Sequence, residues 1–212
     1  MSNAIHNAIR TGNLQRVREI LNQDPSAINL RDTSGRRPLS VAIANHKTHI
    51  VNEILNRNPP QSHLNQGLIK ASMSGHIDMV RKLLNKGANI NHKDGGVYSS
   101  LTWAARQRHA NVVNELLKRG AARNTEALRM AIIFSHVPII RLLVRAGTPV
   151  NQEILNMRKT IEARTALENA VMNRRRQPLG LVGMYRQNRR NNNRVNLPPA
   201  IVRKIMGLAF AK

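Results

Sequence analysis

The chain contains no cysteine among its 212 residues. That excludes disulfides, a thiolate nucleophile and any cysteine-based metal site, and it suits a reducing, intracellular setting. Aromatic residues make up only 2% of the chain, so a core must be assembled from Leu, Ile, Val, Ala and Met. The same scarcity leaves few rings for stacking nucleic-acid bases. Acidic residues number 11 against 34 Lys and Arg, too few and too dispersed for a paired-carboxylate catalytic site. No stretch approaches the ~20 apolar residues that span a bilayer, and the opening MSNAIHNAIRTGN lacks the continuous apolar core of a secretory signal. These absences lead to the expectation of a soluble protein, cytoplasmic or nuclear, with no membrane span.

What is present is positive charge and repetition. The formal net charge is +23, which attracts polyanions, whether nucleic acid, an anionic membrane surface or an acidic protein face. Residues 1–151 carry 21 basic and 8 acidic side chains, and residues 152–212 carry 13 and 3 in a far shorter span.

The repetition is anchored on Leu-x-x-Ala, found at Leu39/Ala42, Leu68/Ala71, Leu101/Ala104 and Leu128/Ala131, with Ile5/Ala8 as a close variant. Nine residues after each alanine stands a β-branched residue: Val17, Val51, Val80, Val113 or Ile140. Twelve and thirteen residues after it come the apolar pairs Ile20-Leu21, Ile54-Leu55, Leu83-Leu84, Leu116-Leu117 and Leu143-Val144. The anchors are spaced 34, 29, 33 and 27 residues apart, around the ~33 of a helix-turn-helix repeat. Each unit predicts a short helix, a tight turn and a second helix with an i, i+3, i+4 apolar stripe. Gly12 and Gly75 fall in that turn, and Gly87, Gly120 and Gly147 fall where the second helix needs a C-cap.

Segments such as GHIDMVRKLLNKGANIN and RRPLSVAIANHK resemble ankyrin repeats over about residues 3–151. The resemblance implies an all-α solenoid of about five repeats and a non-catalytic scaffold that meets a protein partner on its concave face. The long intervals leave room for hairpin fingers at Asp32–Pro38 and Asp94–Ser100, whereas the short ones remove the finger around Asn58–Gln66 and Ala121–Glu126. By the family's contact pattern, partner-binding residues are Thr33, Ser34 and Arg36 on one finger, Tyr98 on the other, and Met73, Arg106, Gln107 and Phe134 just after the landmark alanines. Tyr98, Arg106 and Phe134 are hot-spot residue types, although Phe134 can equally be packed in a neighbouring groove. Trp103 is expected in the core between repeats.

Beyond Asn151 the pattern fades. Ile154, Met157 and Ile161 keep helical spacing, and residues 152–176 are expected to form a helical cap on the last repeat, before Pro178 and Gly180. Residues 177–196 read as a basic flexible linker. Arg174, Arg175 and Arg176 with Arg186, Arg189 and Arg190 form two basic clusters that resemble a bipartite nuclear-import signal, or a contact for nucleic acid. Residues 197–212 predict a short helix opened by prolines. Its Leu197, Pro198, Ile201, Val202, Ile205 and Met206 resemble the start of an F-box, the segment that docks on the adaptor Skp1. Ankyrin arrays with such a segment resemble host-interaction proteins of poxviruses, other large DNA viruses and intracellular bacteria. A helix folding back on the array, or pairing with a second copy, fits the same residues.

No cofactor motif occurs: neither G-x-x-x-x-G-K-[ST] nor G-x-G-x-x-G is present. His76, His109 and His136 share one register, five residues after the landmark alanine, and the resemblance to ankyrin repeats implies local hydrogen bonds in the turn there rather than catalysis. His46 and His49 lack a third ligand at zinc-like spacing. Arg18, Arg81 and Arg141 recur on the polar side of the second helices, as a solvated face or as a stripe following nucleic acid. The expectation is a protein without enzymatic activity, cofactor or metal.

Overall fold

The computed structural model describes residues 2–151 together with Glu153, Ile154, Met157 and Asn169. The cap, linker and terminal helix assigned to 152–176, 177–196 and 197–212 therefore lie outside the described residues, those four positions apart, as do the candidate residues from Arg174 to Met206.

Among the described residues, helices come in five pairs: α1 (Ser2–Thr11) and α2 (Leu14–Gln23), α3 (Pro38–Ala44) and α4 (Thr48–Asn56), α5 (Gln61–Met73) and α6 (Ile77–Asn85), α7 (Ser100–Arg106) and α8 (Ala110–Lys118), α9 (Thr125–Ile133) and α10 (Val137–Arg145). First helices pack in one row, α1 on α3, α3 on α5, α5 on α7, α7 on α9; second helices pack behind them, with α2 against α4, α6 against α8 and α8 against α10. Every landmark residue is core. Leu39, Leu68, Leu101 and Leu128 are at most 1% exposed, as are the β-branched column Val17, Val51, Val80, Val113 and Ile140.

The turn between paired helices places one residue in the left-handed region. Gly12, His46, Gly75, Arg108 and Ser135 occupy it with φ between 55° and 77°. Gly75 is the position where glycine is required, because a Cβ there would stand 2.5 Å from Nδ1 of His109. The second helix ends in a matching way. Gly87 adopts φ 88° while Gly87 and Ala88 donate back to the Leu84 and Leu83 carbonyls, each at 3.0 Å, a Schellman closure.

The fingers differ. β1 (Lys93–Asp94) pairs antiparallel with β2 (Tyr98–Ser99), making a short ribbon whose tip is Gly95-Gly96-Val97. The earlier finger is a turn built on the buried carboxylate of Asp32, which accepts from the Ser34 and Arg36 amides at 2.9 Å each. In the 29-residue interval the chain extends α5 backwards from Pro60 instead of making a finger. Asparagines bind these connections together. Asn65 accepts from the Asn89 amide at 2.8 Å and Asn91 from the Ala122 amide at 2.7 Å. At the far end Ile154 is 2% exposed and joins the core, with Met157 partly buried beside it.

Candidate functional site

Tyr98, on β2, meets Trp103 of α7 edge to face with ring centroids 5.4 Å apart. The Arg106 guanidinium lies 5.1 Å from the Trp103 ring and 5.9 Å from the Phe134 ring, within cation–π range of both. Phe134 in turn stacks on His136 at 5.9 Å. Three of the five Trp, Tyr and Phe residues in the chain thus form one strip that runs from the second finger across α7 to the end of α9. Val97 and Phe134 are its open ends, 58% and 46% exposed. Exposed apolar side chains flanking an arginine held between two rings make a surface suited to binding another protein.

The structure brings together three predicted contact residues, Tyr98, Arg106 and Phe134, and adds Trp103, which the sequence places in the core. Trp103 is half-buried at the surface, and its Nε1 is shielded from solvent without a hydrogen-bond partner. It stands one residue before its landmark alanine. The equivalent position on α5 is Lys70, also half-buried, whereas Val41 and Met130 in the same column are buried. Gln107 is exposed at the end of α7 and Met73 half-buried at the end of α5. Phe134 is exposed rather than filling a groove. Thr33 and Ser34 are exposed on the first finger.

Arg36 has a structural task. Its Nε and Nη2 donate to Asp32 at 3.0 and 2.9 Å, and Arg10 donates to the same carboxylate at 3.0 Å. Burial raises the Asp32 pKa, but the hydrogen bonds from the Arg36 side chain and from the Arg36 and Ser34 amides outweigh it and hold the carboxyl at about 2. Around this pair the surface is basic. Arg37 donates to Gln66 at 2.7 Å. His63, 3% exposed, is pushed down to about 4 by burial and by the Arg37 and Arg31 charges. Burial and the neighbouring Arg36 charge lower Lys70.

The turn histidines bond across repeats rather than within their own turn. His109 donates from Nε2 to the Met73 carbonyl at 3.1 Å and His136 from Nδ1 to the Ala105 carbonyl at 2.8 Å. His76 instead packs its ring 4.0 Å from that of His46. These two line an open cleft of about 640 Å³ with Thr48, Asp78 and Lys82. Among the described residues no three His, Cys, Asp or Glu side chains converge as metal ligands.

The basic stripe on the second helices is largely tied up in ion pairs between repeats. Arg18 meets Glu53 at 2.8 Å, and Arg81 meets Glu115 at 3.2 Å. Arg57 and Arg119 close on the same two glutamates from their own helices, at 3.2 and 2.7 Å. No helix among the described residues is long and apolar enough to cross a membrane.

Comparison with known proteins gives a consistent result. Residues 5–94 and 48–126 match the model of ankyrin repeats. An ankyrin repeat domain-containing protein of Stachybotrys chartarum is 32% identical over 155 residues, covering 70% of this chain and 8% of that protein. The rat ankyrin repeat and SAM domain-containing protein 6 is 36% identical over 91 residues, 41% of this chain and 10% of its own length. The chain thus spans a tenth or less of these two curated relatives. The crystal structure of an ankyrin repeat domain from Acinetobacter baumannii superposes with a TM-score of 0.65 at 23% identity, covering 78% of this chain and 96% of that one. That likeness speaks to the fold.

Proposed function

The chain belongs to the ankyrin-repeat family, and from that premise we propose that it is a non-catalytic protein-binding scaffold whose recognition surface is the strip Tyr98–Trp103–Arg106–Phe134. The observation that carries this reading is the strip itself. A chain this poor in aromatics gathers three of them in one strip, two of them beside one guanidinium, and leaves Phe134 exposed, where burial by a partner is favourable at roughly 25 cal/mol per Å².

Within this proposal the C-terminal segment has a role to test. Leu197, Pro198, Ile201, Val202, Ile205 and Met206 support a docking helix for Skp1, which would make the scaffold a substrate adaptor of a ubiquitin ligase, with the array selecting the substrate. The alternative, a polyanion-binding protein acting through the 174–190 arginines, is supported by the net charge of +23. Pairing of Arg18 and Arg81 with glutamates takes those two cations into inter-repeat ion pairs.

A pull-down from nuclease-treated eukaryotic lysate tests both, comparing the full chain, Arg106→Gln/Phe134→Ala, and a chain ending at Arg194. The expected result is a partner lost with the double variant and Skp1 lost with the truncation. Partners that survive the double variant would overturn the strip as the recognition surface. A preparation whose partners all vanish with nuclease would favour the polyanion alternative.

A further inference from the structure

Cations gather at the junction of the first finger with α5: Arg10 and Arg36 on the Asp32 carboxylate, Arg31 close enough to act on Arg37, and Lys70 close enough to feel Arg36. The Arg37 Nε and the Nδ1 of His63 are buried with no hydrogen-bond partner, so the Arg37 guanidinium is short of an acceptor. The mutual repulsion is visible in the lowering of Arg37 by burial and Arg31, and of Lys70 by burial and Arg36.

This basic junction adjoins the aromatic strip. Lys70 on α5 and Trp103 on α7 both stand one residue before a landmark alanine, on helices that pack side by side. Neighbouring packed helices lie about 8–10 Å apart, so one helix spacing separates Lys70 from Trp103 and a second carries the surface on to Phe134.

We infer that the partner of this scaffold presents an extended segment in which an acidic side chain, carboxylate or phosphate, is seated at Arg37 and Lys70 and an apolar or aromatic residue follows on the Trp103–Phe134 strip. The inference rests on the protein-binding reading above and adds to it the chemistry of the partner. Extended chain advances about 3.3 Å per residue, so one to two helix spacings set the acidic and apolar residues about three to six positions apart. A single-stranded nucleic acid satisfies the cations but gains little from a strip with so few exposed rings.

The test uses fluorescein-labelled peptides of the form Glu-Glu, a Gly/Ser spacer of one to ten residues, then Phe, titrated with the full chain at moderate salt. Parallel peptides carry phosphoserine for Glu, or Ala for Phe, and a single-stranded oligonucleotide of matched charge serves as competitor. Trp103 is the only tryptophan, so its emission reports directly on the strip. Binding is expected to peak at spacers of about two to five residues, which set Phe about three to six positions from the nearer Glu, and to shift Trp103 emission. It should fall about tenfold or more in Arg37→Gln/Lys70→Gln, while changing less than twofold in Arg141→Gln/Arg145→Gln, which removes the same charge from α10. Whichever of Glu and phosphoserine binds tighter identifies the source of the anion.

Equal losses in the two double variants, or indifference to spacer length, would overturn the inference, as would preference for the oligonucleotide. If the junction variants are silent while Phe→Ala peptides and Arg106→Gln/Phe134→Ala still abolish binding, the acidic seat fails and the strip stands. If those strip changes are silent too, the strip reading fails with it. Melting curves of each variant establish that it is folded.

Discussion

Acidification should destabilise this array well before any carboxylate titrates, and His63 is the main reason. Its imidazole is 3% exposed, and burial together with Arg37 and Arg31 lowers its pKa from 6.5 to about 4. In the unfolded chain it returns to about 6.5. Between these values the unfolded state binds the proton and the folded state does not, so stability falls as pH falls. At pH 5 the unfolded form is favoured by a factor of about thirty relative to pH 7.5, or about 2 kcal/mol. His76, lowered chiefly by burial, acts in the same direction. Asp32, held at about 2, contributes stability that is present above its unfolded value of 3.8 and is lost as pH falls from there through about 2. The window from pH 7.5 to 5 therefore isolates the histidines. Urea unfolding at constant ionic strength should show the midpoint falling across that window, and His63→Gln should remove about 2 kcal/mol of the pH dependence, whatever it does to stability at neutral pH. The same slope in the variant and the parent would refute this account.

Three further outcomes follow from the packing. Gly75→Ala combines a left-handed φ of 76° with a Cβ 2.5 Å from His109. It should cost about 2–3 kcal/mol and disrupt the His109–Met73 bond; an unchanged urea midpoint would count against it. Asp32→Asn should lose about 2 kcal/mol at pH 7, from a carboxyl held at about 2 rather than 3.8, and the difference from the parent should shrink below pH 4 in the same titration. Gly67, inside α5, has the Ile43, Leu83 and Leu39 side chains 3.1–3.4 Å from where a Cβ would be. Gly67→Val should therefore destabilise by about 1–3 kcal/mol, and a double-mutant cycle with Leu83→Ala should show partial recovery.

The five-repeat register was legible because it rests on burial, and burial writes a periodic pattern. Each landmark leucine and β-branched residue is at most 1% exposed. The left-handed turn was legible at Gly12 and Gly75 but not at His46, Arg108 and Ser135, where the local hydrogen bonding imposes a conformation that the residue type does not announce. The 29-residue spacing foretold the missing finger, but not that Pro60 would start α5 at Gln61 and lengthen it to 13 residues. The 3-10 turn Pro25–Asn29, capped by Asp24, was also not foreseen. Tyr98, Arg106 and Phe134 are picked out as contact residues by the resemblance to the ankyrin contact pattern laid over the register. Their union through Trp103 is not, because register says which column a residue occupies, not which side chains from neighbouring repeats meet there. The basic junction escaped for the same reason: Arg37, His63 and Lys70 come from separate elements, and only folding sets their charges against one another.

The histidine seam bears on how such a chain can grow or shrink over generations. His109 serves a carbonyl at the end of α5 and His136 one at the end of α7, so each bond is shared between a turn and the repeat before it. Position 75 cannot drift from glycine unless position 109 changes with it, although 34 residues separate them. A tandem copy or a deletion keeps the seam intact when its breakpoints fall at equivalent positions in two units, so that every turn still finds the helix end it was matched to. The heritable unit is thus not the visible helix pair but an overlapping one, running from the end of one first helix to the histidine beyond the next.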